Sequence, residues 1–343
     1  MKRRALITAV LLLCLAGCRT EEGPETWLWS QQQADGGWHS TTYGLLRSGQ
    51  SLTPFILLTL LESRQLAVTA KVDSALAFVA ANTAADGSLG RMDESSQDYP
   101  NYATSLAIRA IVKAGRPGWQ QQIAPMLRYL RSQQFAEENG WKSDHMAYGA
   151  WGMGGERLHP PQVGHVDLSM TRHVLQAFRD AGVPADDAAF QKAQVYLKRL
   201  QNGDGGFFFS TTEEDTNKAG SAREGEFRSY GTATADGVLA LRATGIPASD
   251  ARVRTAWSWL TKNQTDPGRI AGFTGAAYDR WHHGLAFYYA AVLAEAAQSI
   301  REKAPYWRLP APDAKGRFVN PENLVKEDDP LISTTLAVQA RHP

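Results

Sequence analysis

An all-α fold of stacked helical hairpins is predicted by three observations on the chain. One signature recurs: an aromatic residue with Leu, then Gln, Gly and a closing aromatic or aliphatic residue at fixed spacing. It reads Trp27-Leu28, Gln32, Gly36, Trp38; Tyr196-Leu197, Gln201, Gly205, Phe207; and Trp259-Leu260, Gln264, Gly268, Ile270. Such a pattern marks copies of one supersecondary unit, none of which can bury its apolar face alone. Apolar segments of about four turns follow the signatures and close on Ala-Gly or Thr-Gly, a helix C-cap signal. Strand signals, by contrast, are almost absent.

The elements follow in order. Residues 1–18 carry Lys2, Arg3 and Arg4, an apolar run over 5–13, then Leu15-Ala16-Gly17-Cys18. This is the layout of a secretory signal peptide. Its ending resembles the bacterial lipobox, which implies cleavage before Cys18 and acylation of that residue. More than one acyl chain gives stable membrane attachment. Residues 1–17 are therefore expected as signal peptide, 18–26 as a lipidated tether and 27–343 as one repeat domain anchored in the cell envelope, outside the cytoplasm. Cys14, the other cysteine, lies in the removed segment, so the mature chain has no thiol, disulfide or cysteine ligand. Cleavage also turns 36 basic against 35 acidic residues into a slight acidic excess, and no basic stripe is present. Nucleic acid is excluded as a partner on that ground.

Each unit reads as two helices. The first helices fall at 26–33, 71–82, 121–134, 187–201 and 251–263, with a degenerate one near 297–304. The second helices fall at 51–61, 101–115, 167–182, 230–245, 280–297 and 330–340. The remaining units keep fragments of the signature: Phe78, Gly87 and Leu89; Tyr129-Leu130, Gln134 and Gly140-Trp141; Gly316 and Phe318. The signature residues suit a structural role, in which Gln bonds backbone groups of the turn, Gly supplies positive φ, and the ring covers the turn.

On these residues the chain resembles the QW-motif repeats of the squalene cyclase and prenyltransferase superfamily, from about Trp27 to Ala340. The resemblance implies an (α/α)6 toroid of six helical hairpins, with the six second helices as its inner ring. It does not carry the family's chemistry across. No DxDD motif is present; the nearest segment, Lys326-Glu327-Asp328-Asp329, starts with a cation that is expected to favour ionised carboxylates and so weaken a general acid. The zinc site of the protein prenyltransferases needs a Cys that the mature chain lacks.

Candidate site residues come from loops and the starts of second helices. Residues 139–166 form the longest loop, carry Trp141, His145, Tyr148, Trp151, His159 and His165, and are expected as a binding lid. His165 and Asp167 precede the third second helix; Asp279, Trp281, His282 and His283 begin the fifth. Asp279 and His283, four apart, share a helix face as a candidate acid–base pair, while both aspartates also suit N-caps. These five acidic and imidazole groups are the catalytic candidates. Trp151, Tyr148, Tyr230, Trp281 and Tyr102 are the expected ligand-binding aromatics. No compact ligand motif supports a metal site from His165, His282 and His283, and no cofactor is implied. The glutamate-rich stretch 211–227 reads as a solvated loop.

The leading expectation is a lipoprotein whose toroid binds an apolar or amphipathic envelope molecule. The alternatives are a glycan-active enzyme of polysaccharide-lyase type and a protein-interaction scaffold.

Overall fold

The computed structural model describes residues 23–63, 69–92, 97–223 and 225–342. Cys18 and the signal segment lie outside the described residues. Twelve α-helices are described: α1 (Pro24–Ser30), α2 (Leu52–Glu62), α3 (Thr69–Asn82), α4 (Pro100–Ala114), α5 (Ile123–Ser132), α6 (Leu168–Asp180), α7 (Ala188–Leu200), α8 (Gly231–Ala243), α9 (Ala251–Asn263), α10 (Asp279–Gly284), α11 (Ala286–Ile300) and α12 (Pro330–Arg341). A small antiparallel ribbon pairs β1 (Ser221–Arg223) with β2 (Glu226–Phe227).

The inner ring is α2, α4, α6, α8, α11 and α12. Each packs on the next, and α12 packs back on α2, so the ring closes. Polar groups lock this closure: Ser40 donates to Asp329, Tyr43 to Asp328, and Gln339 Nε2 to Thr59 Oγ1 at 2.9 Å. The inner helices are apolar nearly all round because they face both the outer ring and the centre; in α8 almost every residue is buried. Asp caps start several helices: Asp167 accepts from Met170 N–H, Asp187 from Ala189, Asp250 from Arg252 and Asp329 from Leu331. Among the described residues, no helix is long and apolar enough to cross a membrane.

The signature is a bracket between neighbouring units. Gln201 Nε2 donates to the Gly205 carbonyl at 3.0 Å and to the Arg252 carbonyl, in the first turn of the next outer helix, at 2.9 Å. Gln32 does the same to Gly36 and Lys71, and Gln134 to Gly149 and Ala189. The closing residue then donates its backbone N–H to a buried Thr of the inner helix. Trp38 meets Thr53, Leu89 meets Thr104, Trp151 meets Thr171, Phe207 meets Thr234 and Phe318 meets Thr334. In the fifth unit His282 Nδ1 takes the Thr position and accepts from Ile270 N–H at 2.8 Å.

This rule corrects the third unit. Its Gly and closing ring are Gly149 and Trp151, not Gly140 and Trp141, with fifteen residues from Gln134 to Gly149 where other copies have four. Gly149 sits at φ 89°, and a Cβ there would lie 2.0 Å from the Lys192 carbonyl oxygen; Gly36, at φ 90°, approaches the Ser74 carbonyl in the same way. Two further expectations change. The helix anticipated near 297–304 does not form: α11 ends at Ile300, Arg301 takes a left-handed C-cap, and residues 301–329 cover that sector without an α-helix. There Trp307 packs on Tyr289, donates to the Ala286 carbonyl, and takes the outer helix's place. The helix expected over 280–297 is broken at Leu285 into α10 and α11. At the other end, α1 starts at Pro24, inside the stretch read as tether, and buries Pro24 and Glu25.

Candidate functional site

The inner ring encloses a cavity of about 530 Å3, within the range of small-molecule sites. Its walls are largely apolar, with Leu52, Phe55, Leu106, Met170, Val292 and Leu336 among them. It runs from the loops that precede the inner helices to the last turns of those helices. The two ends carry different chemistry.

The inner end is a floor of paired charges. Arg109 of α4 donates from Nε to Asp180 at 2.8 Å and lies 3.7 Å from both Glu62 of α2 and Glu295 of α11. Arg172 of α6 donates to Gln176 at 3.0 Å and to Glu295 at 3.3 Å. Its Nε stands 2.8 Å from Asp236 Oδ1 of α8 but off the hydrogen-bond direction, an ion pair rather than a hydrogen bond. Tyr288 of α11 donates to Asp236 at 2.8 Å and meets Ser169 Oγ at 2.8 Å. Five of the six inner helices are tied together in this way. Side-chain exposure is 3% for Arg172 and 1% for Asp236. Burial pushes the Asp236 carboxyl up to about 6 although Arg172 and Tyr288 pull it down. Burial also raises Glu62. Four carboxyls thus share two guanidinium groups. His173 accepts from Arg172 Nη2 at 2.9 Å through Nε2, which leaves its proton on Nδ1. Burial, with Arg172 and Arg109 behind it, holds this imidazole neutral, edge-on to Tyr102 at 4.5 Å.

The outer end is a mouth. His165 bridges two carboxylates: Nε2 meets Asp167 at 2.6 Å, and Nδ1 meets Glu213. Burial alone would lower this histidine, but Asp167 and Glu213 together raise it, so the clasp holds its proton more tightly than a free imidazole does. The clasp draws the loop 211–227 over the cavity, where Asp215, Thr216 and Lys218 join its lining. Lys218 Nζ sits 4.0 Å from the Phe209 ring centroid and 5.7 Å from that of Trp281. Its one hydrogen-bond acceptor among the described residues is the Thr216 carbonyl at 3.4 Å. Lys326 donates to Tyr99 Oη at 3.0 Å.

Of the sequence candidates, His165, Asp167, Tyr102 and Trp281 line the cavity. The others stand behind it. Trp151 is the buried closing ring of the third signature, with its indole N–H on the Leu130 carbonyl at 2.7 Å. Tyr148 bonds Glu137 on the outside of the toroid, and Tyr230 stacks on Phe273. Asp279 pairs with Arg269 at 2.9 Å instead of His283, although both lie on the short α10. His283 offers its carbonyl to Asn320. Among the described residues no group of three His, Cys, Asp or Glu is placed to hold a metal ion. The lid expected from 139–166 reaches the cavity only through Met153 and His165. The loop read as solvated, 211–227, is the one that covers the mouth. Lys326 does not strengthen the acidity of its neighbour: Glu327 is buried, accepts from Phe287 and Tyr288 N–H and from Asn320, and is pushed up to about 7 by burial.

Sequence reasoning does not single out Arg172, Asp236 or Lys218. For the first two a signal is present, a charge inside a helix otherwise apolar, as in Ala235-Asp236-Gly237-Val238.

Residues 164–294 match the squalene-hopene cyclase C-terminal domain, from His165 through α6–α10 into α11. No curated protein sequence matches the chain. Among solved structures, type II terpene cyclase MstE from Scytonema, in complex with geranylgeranyl dihydroxybenzoate, aligns over 92% of this chain and 94% of its own at TM-score 0.51 and 13% identity. Protein geranylgeranyltransferase-I from Candida albicans, complexed with GGPP, aligns over 85% and 83% at TM-score 0.52 and 13% identity. A protein from Actinoplanes aligns over 92% and 96% at TM-score 0.51 and 16% identity. At these identities the likeness is one of fold. The chain is an all-α toroid that shares its fold with these terpene cyclase and prenyltransferase structures, and its residues 164–294 match the squalene-hopene cyclase C-terminal domain.

Proposed function

We propose that this protein binds an apolar or amphipathic molecule of the cell envelope in the centre of its toroid, and that acylated Cys18 tethers it there. The observation that carries this reading is the apolar-walled cavity of about 530 Å3 at the middle of the ring. Two structures similar in fold were solved with geranylgeranyl dihydroxybenzoate and with GGPP, which supports an apolar occupant.

One observation favours glycan chemistry. Arg172, His173, Tyr288 and Asp236 converge within hydrogen-bond reach, as a lyase would need. The partners decide against it. Arg172 is already neutralised by Asp236 and Glu295, so it has no free charge for a substrate carboxylate. The Tyr288 phenol is raised well above its ordinary value by burial, which disfavours the phenolate that a lyase base requires.

Mass spectrometry of small molecules extracted from the protein, purified gently from its native envelope, tests the proposal. A stoichiometric lipid is expected. A protein that emerges empty and fails to take up long-chain alcohols would overturn it.

A further inference from the structure

The mouth holds a side chain that the binding reading leaves unused. Lys218 lines the cavity, rests on the Phe209 ring and faces Trp281, and makes no ion pair among the described residues. Three other lysines serve a partner: Lys192 pairs with Glu137 and Glu138, Lys71 donates to the Trp29 carbonyl, and Lys326 to Tyr99. A lysine held against aromatic faces at the rim of an apolar cavity is placed as a nucleophile toward whatever enters.

The geometry points to Lys218 as a covalent site for carbonyl compounds, an amine that captures an aldehyde or ketone carried on an apolar chain as an imine. This inference rests on the cavity being a binding site. The step balances within the two reactants. The Lys218 nitrogen attacks the carbonyl carbon and forms a C–N bond, its two protons leave with the carbonyl oxygen as water, and a C=N bond remains. Neither oxidant nor cofactor is consumed. Burial lowers the Lys218 ammonium, against the pull of Asp167 and Asp236, so a larger share of free amine is present near neutral pH than on a surface lysine. The clasp of His165 to Glu213 holds the loop that carries Lys218 over the bound chain.

The test uses the full mature protein with decanal and cyanoborohydride, read by peptide mass spectrometry. Lys218 is expected to take the adduct at least about ten-fold more than any surface lysine. Lys218→Arg keeps the charge and should lose the adduct, while Lys262→Met, on the outer helix α9, should keep it. Glyceraldehyde, a polar aldehyde, should label Lys218 no better than the surface. Binding of decanol, measured in parallel by displacement of a fluorescent fatty-chain probe, separates the two readings. Decanol binding with adducts spread over surface lysines overturns the covalent site and leaves the cavity reading standing. Absence of decanol binding overturns both.

Discussion

The two ends of one cavity use charge in opposite ways. At the floor, Arg109 and Arg172 are surrounded by Glu62, Asp180, Asp236 and Glu295, and every cation has its anion. At the mouth, Lys218 rests on aromatic rings with a single weak carbonyl contact, and His165 ties the α6 cap Asp167 to the loop residue Glu213. Paired, desolvated charges tie inner helices to one another and fix the ring's register. An amine without a carboxylate partner adds little to that and remains available to a ligand. The difference gives the floor a structural role and, on the proposed reading, leaves the mouth for recognition, though both line the same space.

Breaking the floor should have the largest effect. Arg172→Met leaves Asp236 buried without its cation, which costs about 3–5 kcal/mol of stability by the usual penalty for half a buried pair. Urea denaturation reads this as a lower midpoint with an unchanged slope. A loss under about 1 kcal/mol would mean that the network is wet and dispensable.

The floor's pH dependence sharpens the contrast. Asp236 in the floor, raised to about 6, and Glu327 against the start of α11, raised to about 7, bind protons more tightly folded than unfolded. Their contribution is fully present below the ordinary carboxyl range and is lost as pH rises through 6 to 7. Asp236→Asn should therefore gain stability relative to wild type at about pH 7.5 compared with about pH 4.5, a difference that cancels the titration of all other groups. A constant gap between the two proteins across that range would contradict the burial of an ionisable carboxyl there.

The brackets between units come next. Gln201→Ala strips the donor from two carbonyls and should cost about 1–3 kcal/mol. The smallest effect belongs to the mouth. Lys218→Met should change the denaturation midpoint by less than about 1 kcal/mol, as expected for a charge that no ion pair retains. Equal losses for Lys218→Met and Arg172→Met would erase the distinction between the two ends.

The fold is legible in the sequence because its signals are local. Asp and Pro at helix starts, Gly past the ends and the Gln-to-Gly spacing locate the inner helices to within a few residues. Reading fails where tertiary contacts override spacing. The third bracket spans an insertion, so Gly149 and Trp151 are hidden behind the more compact Gly140-Trp141. The sixth outer helix is inferred from symmetry, while Trp307 and Phe318 fill that sector from an irregular segment. In the site, Tyr102, Trp281, His165 and Asp167 are found because they sit at helix starts. Asp279 and His283 fail because a break at Leu285 keeps them off the inner ring. Lys218 looks solvated among glutamates, since nothing in the stretch 211–227 announces that Glu213 folds back onto His165.

The central claim, that the space between mouth and floor is a binding cavity, is tested most directly by filling it. Ala291 of α11 lines the cavity one turn before Glu295, so the stability of a variant there is read together with its binding. Displacement of a fatty-chain fluorescent probe should be measured for wild type and Ala291→Trp, with the denaturation midpoint of each recorded alongside. Loss of binding in a variant that melts like wild type is the result expected. Undiminished binding in a folded Ala291→Trp protein would contradict the account.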